Sequence, residues 1–249
     1  MLKNRHLVLF YGRTGSTLVD NHITQNICNP EFNFWKHGMS ASEIHPGNVD
    51  AQFLYLMKLT NVFGLRREWC VKYHITTGVK ITDDTGRVGL IGDFKPTDYL
   101  LSKTGEWLAD REPIFDLSGT DRFLSELNVT DLHFSFRIDT VDTICSYLIA
   151  QKYNTWVVVD NIIKEHPKLK LEPSLVRKVC VGNEMLYKLY NEYVKRYKDS
   201  YNCIFYPYEN LHEIFDTEND HRGMKKQLTK EQKQELIINV NLCVVMRLL

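Results

Sequence analysis

The sequence predicts an α/β fold, with a central parallel sheet flanked by helices on both faces. Three observations predict it. Short runs of strand type at residues 7 to 11, 69 to 75, 132 to 136 and 203 to 206 alternate with longer segments whose apolar residues recur at helical spacing. The first run, Leu7-Val8-Leu9-Phe10-Tyr11, is continuously apolar, as a strand buried on both faces must be. At 249 residues, with 43% hydrophobic and 25% charged residues, the chain is long enough and ordinary enough to bury a substantial core.

The elements follow in order. Leu7 to Tyr11 make the first strand, and Leu18, Val19, His22 and Ile23 mark a helix after it, with His22 expected against the sheet. Residues 49 to 63 form an amphipathic helix with Phe53, Leu54 and Met57 at helical spacing. Residues 69 to 75 are the second strand. Residues 79 to 94 hold two β-prone runs about Asp83-Asp84-Thr85-Gly86, a hairpin signal. Residues 96 to 108 and 121 to 127 are short helices. The strand at 132 to 136 leads to a helix that Asp139 or Thr140 can cap and that carries Ile144, Tyr147 and Leu148. Residues 173 to 198 form a long helix, whose stripe of Leu186, Leu189, Tyr190, Tyr193 and Tyr197 is core. A last strand at 203 to 206 and a terminal helix at 229 to 249 complete the chain. With no internal repeat, low-complexity tract or clear linker, residues 1 to 249 are read as one domain with an insertion at about 76 to 130.

Charge and cysteine usage exclude several classes. Lys plus Arg and Asp plus Glu number 31 each, so no net charge draws the chain to nucleic acid. An anionic ligand must be held by local cations. The six cysteines are dispersed without a C-x-x-C pair, which reads as reduced core thiols rather than a disulfide frame or a zinc site. The first strand begins about six residues in, with no room for a signal peptide. No apolar stretch approaches the ~20 residues that span a bilayer. The expectation is a cytoplasmic protein with no membrane or nucleic-acid partner.

The most informative segment is Gly12-Arg13-Thr14-Gly15-Ser16-Thr17, between the first strand and the first helix. Glycines let the backbone approach an anion, unpaired amides point at it, and the helix dipole favours negative charge. A nucleotide-triphosphatase P-loop would close on Gly-Lys-[Ser/Thr]; here no lysine lies between Lys3 and Lys36, and the cation is Arg13. Arg-x-Gly-Ser-Thr after a first strand resembles the 5′-phosphosulfate loop of sulfotransferases, most closely the bacterial carbohydrate (trehalose-type) sulfotransferases. A second segment agrees. Arg137 ends a strand and Ser146 lies nine residues on, in the next helix. This pair is similar to the arginine and serine with which sulfotransferases hold the 3′-phosphate of their donor, 3′-phosphoadenosine 5′-phosphosulfate (PAPS). Ala150, Gln151 and Trp156 also look like the bacterial family; Asp142 and Cys145 depart from it outside the phosphate pair.

The resemblance implies a three-layer P-loop-like fold, binding of Gly12 through Thr17 to the 5′ side, release of the product PAP, and no metal. It also implies a base for the acceptor hydroxyl. Lys72 and His74, two apart on a strand and so on one face, resemble the Lys-x-His of the cytosolic class, whose histidine is the base. Imidazole has a suitable pKa. Glu31, in Pro30-Glu31, resembles the glutamate base of the bacterial class. His74 is preferred over Glu31. Arg222-Gly223, ahead of Thr229-Lys230-Glu231-Gln232, resembles a further 3′-phosphate element, and Tyr208-Glu209-Asn210-Leu211 resembles the turn after the last core strand. The stretch from His74 to Arg137 spans 63 residues, and its hairpin and aromatics are the place for acceptor selectivity. The acceptor is expected to be a carbohydrate or small metabolite; the oligomeric state is left open. The competing readings are a non-catalytic relic that binds PAP and a P-loop-type kinase.

Overall fold

The apolar run near the N-terminus becomes the central strand of a parallel sheet. A computed structural model describes residues 5–12, 14–28, 43–44, 49–63, 69–82, 88–90, 114–139, 142–143, 145–147, 173–215, 234 and 238. Its elements are, in chain order, β1 (Arg5–Phe10), α1 (Ser16–Asn26), β2 (Glu43–Ile44), α2 (Val49–Phe63), β3 (Trp69–His74), β4 (Val79–Thr82), β5 (Val88–Leu90), β6 (Ile114–Phe115), α3 (Ser118–Glu126), β7 (Asp131–Phe136), α4 (Pro173–Tyr197), β8 (Asn202–Pro207) and α5 (Leu211–Ile214). Tight 3₁₀ turns occupy Ile75–Gly78 and Tyr208–Asn210.

The main sheet runs β2-β3-β1-β7-β8, every neighbouring pair parallel. Side chains alternate across it. Leu7 and Leu9 of β1 join Val71, Tyr73, Leu132 and Phe134 on one face, covered by Leu56 of α2, Phe123 and Leu124 of α3, and Leu189, Tyr190 and Tyr193 of α4. Val8 and Cys70 point the other way, to Val19 and Ile23 of α1 and Leu211 of α5. Apolar cover on both faces is what a parallel sheet requires. Buried tyrosines need partners for their hydroxyls; Tyr73 Oη and Tyr193 Oη meet Thr120 Oγ1 at 3.1 and 3.0 Å.

The elements depart from the sequence expectation in a few places. The strand expected second in the chain is third, because the two-residue edge strand Glu43–Ile44 precedes it. The helix expected from residue 121 begins at Ser118, its first turn made of the polar Ser118, Gly119 and Thr120. The interval after His74 holds a second, antiparallel sheet, β5-β4-β6, in which Thr82 pairs with Val88 and Lys80 with Leu90. His22, on α1, stacks on Phe215, ring centroids 4.2 Å apart, and Phe215 in turn packs on Tyr206 of β8. Residues 83–87 and 96–108 lie outside the described residues; of the expected terminal helix, Gln234 and Ile238 are helical. Cys28, Cys70, Cys145 and Cys203 are thiols outside any disulfide. Among the described residues no helix is long and apolar enough to cross a membrane.

Beneath α1 the sheet buries a histidine pair. His6 Nδ1 lies 3.0 Å from His133 Nε2, and His133 Nδ1 lies 3.3 Å from Tyr206 Oη. Burial, reinforced by His6, pulls the His133 pKa down to about 3, against the opposing pull of Asp131. An unfolded histidine titrates near ~6.5. Between these values the unfolded chain binds the extra proton, so stability rises with pH. The contribution is complete above the unfolded value and is lost as pH falls toward the folded one. Urea unfolding should show a stability slope of up to ~1.4 kcal/mol per pH unit from this ring across that window. His133→Gln should flatten the profile; an identical slope in both proteins would remove His133 as its source.

Candidate anion-binding site at the carboxyl edge of the sheet

β1 connects toward the β2 edge and β7 toward the β8 edge, so the carboxyl ends of β1 and β7 flank a topological switch point, where α/β sheets place ligands. The Gly-rich loop leaves β1 at this edge. Gly12, Thr14 and Ser16 are buried, Gly15 is half-buried and Thr17 is exposed. Gly15 caps α1 with φ 77°, a left-handed conformation that favours glycine. The first intrahelical bond is Leu18 N–H to Gly15 O at 2.9 Å, which leaves the Ser16 and Thr17 amides at the open end of α1. No acidic side chain lies in this first turn to neutralise it.

The loop is held from behind. Thr14, 1% exposed, donates from Oγ1 to Tyr11 O at 2.9 Å. Ser135 Oγ of β7 donates to Thr14 O at 2.7 Å. Thr14 therefore shapes the loop with its side chain and has only backbone left for a ligand. Gly15 serves packing as well: a methyl group there would lie 2.6 Å from Leu211 Cδ1 and 2.7 Å from Tyr208 Cδ2. Protein, not a ligand, fills the space beside its α-carbon.

Lys72 approaches the loop from β3. It is 3% exposed, its Nζ 3.3 Å from Thr17 Oγ1 and 2.5 Å from Glu43 Oε2. Register explains the pairing, since Glu43 stands opposite Lys72 between β2 and β3. His74 shares the face of Lys72, and both meet the Phe10 ring, at centroid distances of 4.9 Å for His74 and 5.4 Å for the lysine Nζ. His74 is fully buried. The Thr76 backbone N–H, which can only donate, points at His74 Nδ1 at 3.3 Å, and Thr76 Oγ1 lies 2.6 Å from the same nitrogen. Nδ1 thus accepts from the Thr76 backbone.

Arg137 follows the last residue of β7 and is 5% exposed. Its backbone N–H donates to Tyr11 Oη at 3.4 Å, and its guanidinium lies on the Tyr208 ring at 3.9 Å from the centroid. Burial pushes its pKa down and the acidic neighbours Glu209 and Asp139 push it back; an arginine here stays charged. Glu209 locks the end of β7 to the turn after β8, its carboxylate accepting from Ile138 and Asp139 N–H at 3.2 Å each. Asp139 caps the following helix, as expected, by accepting from Asp142 N–H at 2.8 Å. Asp142 is a correction. The sequence reading set it outside the phosphate pair, yet its Oδ2 binds Arg137 Nη2 at 2.8 Å. Ser146 lies half-buried one helical turn beyond it.

The described part of the loop, Lys72 and His74, and Arg137 thus converge on one sheet edge, with Tyr208 touching both Gly15 and Arg137. Arg13, Glu31, Arg222 and Gly223 lie outside the described residues. Sequence reasoning missed Glu43, Ser135 and the role of Asp142. Ser135 had a signal, a polar residue one before the end of a buried strand; Glu43 had none, because its strand is two residues long. Among the described residues no group of three or more His, Cys, Asp or Glu could hold a metal. Comparison with protein-family models, curated proteins and solved structures finds no match to this chain.

Proposed function

We propose that the chain is a PAPS-dependent sulfotransferase of three-layer P-loop-like type, acting on a hydroxyl of a carbohydrate or small metabolite. One observation carries the reading: Tyr208 packs on Gly15 and stacks on Arg137, so the two anion-binding elements read from the sequence share a wall. The donor supplies an activated sulfuryl group; its sulfur–oxygen bond to the 5′-phosphate breaks as a bond to the acceptor oxygen forms. Arg137 and Ser146 hold the 3′-phosphate, and the amides of Ser16 and Thr17 with Arg13 hold the 5′ side. Lys72, beside Thr17, stabilises charge on the leaving phosphate, the kind of preorganised donor that dominates such catalysis. The acceptor proton passes to His74 or Glu31. Because His74 Nδ1 already faces Thr76, its use as a base requires those contacts to open. Turnover of Glu31→Gln against His74→Asn assigns the proton.

Calorimetry without magnesium tests the reading. PAP should bind at least ~10-fold tighter than ATP, since only PAP carries the 3′-phosphate that a charge-assisted arginine contact recognises. ATP binding as tight as PAP, or binding that needs magnesium, overturns it. Release of PAP from PAPS then separates an enzyme from a relic that only binds.

A further inference from the structure

We propose that Asp142 is a built-in competitor for the phosphate that Arg137 binds, and that it sets how strongly the site favours nucleotides carrying a 3′-phosphate. The inference rests on the sulfotransferase reading above. Arg137 is 5% exposed, with Tyr208 over one face of its guanidinium. Nη2 donates to Asp142 Oδ2 at 2.8 Å and Nη1 to Asp142 O at 3.4 Å. Nε, also buried, has no hydrogen-bond partner among the described residues. A guanidinium offers five donors in a planar fork suited to an oxyanion. Here a carboxylate takes one edge and a donor is left over. That is the condition of a cation kept neutralised but not saturated.

The carboxylate is placed to give way. Its side chain is 33% exposed, so it can move into water when a phosphate arrives. The Asp142 backbone stays anchored, because its N–H binds Asp139 Oδ1 at 2.8 Å and Thr143 N–H binds Asp139 O at 3.0 Å. Asp142 and Ser146 are four residues apart on helical backbone and share a face. A phosphate held by Arg137 and Ser146 therefore meets the Asp142 charge. In the unliganded protein Asp142 compensates a buried cation; in the liganded one it repels the group that replaces it.

Equilibrium binding of PAP and of adenosine 5′-phosphosulfate, which lacks the 3′-phosphate, to wild type and Asp142→Asn tests this, alongside thermal unfolding. The variant should bind PAP about 10-fold tighter, as removal of a facing like charge implies, and the phosphosulfate within about twofold. Its unliganded Tm should fall, and PAP should raise it by more than in wild type. Unchanged or weaker PAP binding by a folded variant overturns the inference while leaving the sulfotransferase reading intact, provided wild type binds PAP. Equal gains for both nucleotides overturn it too, since Asp142 would then act on a group they share. Absence of PAP binding in both proteins sinks both readings. If Asp142→Asn fails to fold, Asp142→Ser, which keeps a small polar residue at the helix start, takes its place with the same outcomes.

Discussion

Arg137→Ala should weaken PAP binding by about 10- to 100-fold, the loss of a charge-assisted contact worth ~1.5–3 kcal/mol. Affinity for adenosine 5′-phosphosulfate should stay within about twofold. The asymmetry follows from position. Arg137 sits at the end of β7, held by Tyr11 through its backbone and by Tyr208 through its ring face. The 5′ side belongs to the loop after β1. The fold should tolerate the change, because Asp142 is 33% exposed and water can solvate its carboxylate. Calorimetry with the two nucleotides measures the effect. Equal losses for both would make Arg137 a structural residue or a ligand of the 5′ side.

Lys72→Met should lower kcat by about 100-fold or more, the scale seen when a charge-stabilising donor is removed from a water-excluded site. PAP affinity should change by only a few-fold. Methionine keeps much of the length and volume of the buried side chain, so packing against Phe10 survives. Glu43, 29% exposed, can be hydrated once the ammonium is gone, which limits the cost to the fold. The readout is PAP release from PAPS with a carbohydrate acceptor, next to direct PAP binding. An unchanged rate removes Lys72 from the mechanism; a collapse of PAP affinity at unchanged kcat makes it a binding residue instead.

Much of the scaffold was legible because local physics dictates it. Leu7 to Phe10 of β1 are continuously apolar, and burial on both faces accounts for that composition. The helix at 49–63 and the long helix from Pro173 carry apolar residues at helical spacing, and both form where that spacing places them. The hairpin strands β4 and β5 flank the turn residues that signal them. Legibility failed where a few residues owe their structure to a distant partner. Glu43–Ile44 is a strand only because β3 lies beside it. Ser135 is the clasp that holds the Gly-rich loop, through a bond to Thr14 O of a segment far back in the chain.

The same division runs through the candidate site. Alone, the sequence determined which residues have the right chemistry: a loop of glycines and hydroxyls opening a helix, an arginine at a strand end, and Lys72 and His74 alternating onto one face. These are properties of neighbours in the chain, governed by strand and helix periodicity. The tertiary structure alone decided how that chemistry is used. It put Tyr208 between Gly15 and Arg137, gave Lys72 to Glu43, turned the His74 lone pair toward Thr76, and set Asp142 on Arg137. The physical reason is that a buried charge or lone pair must find a partner in three dimensions. Which partner it finds depends on strand order and register, and these are set by the packing of the whole sheet.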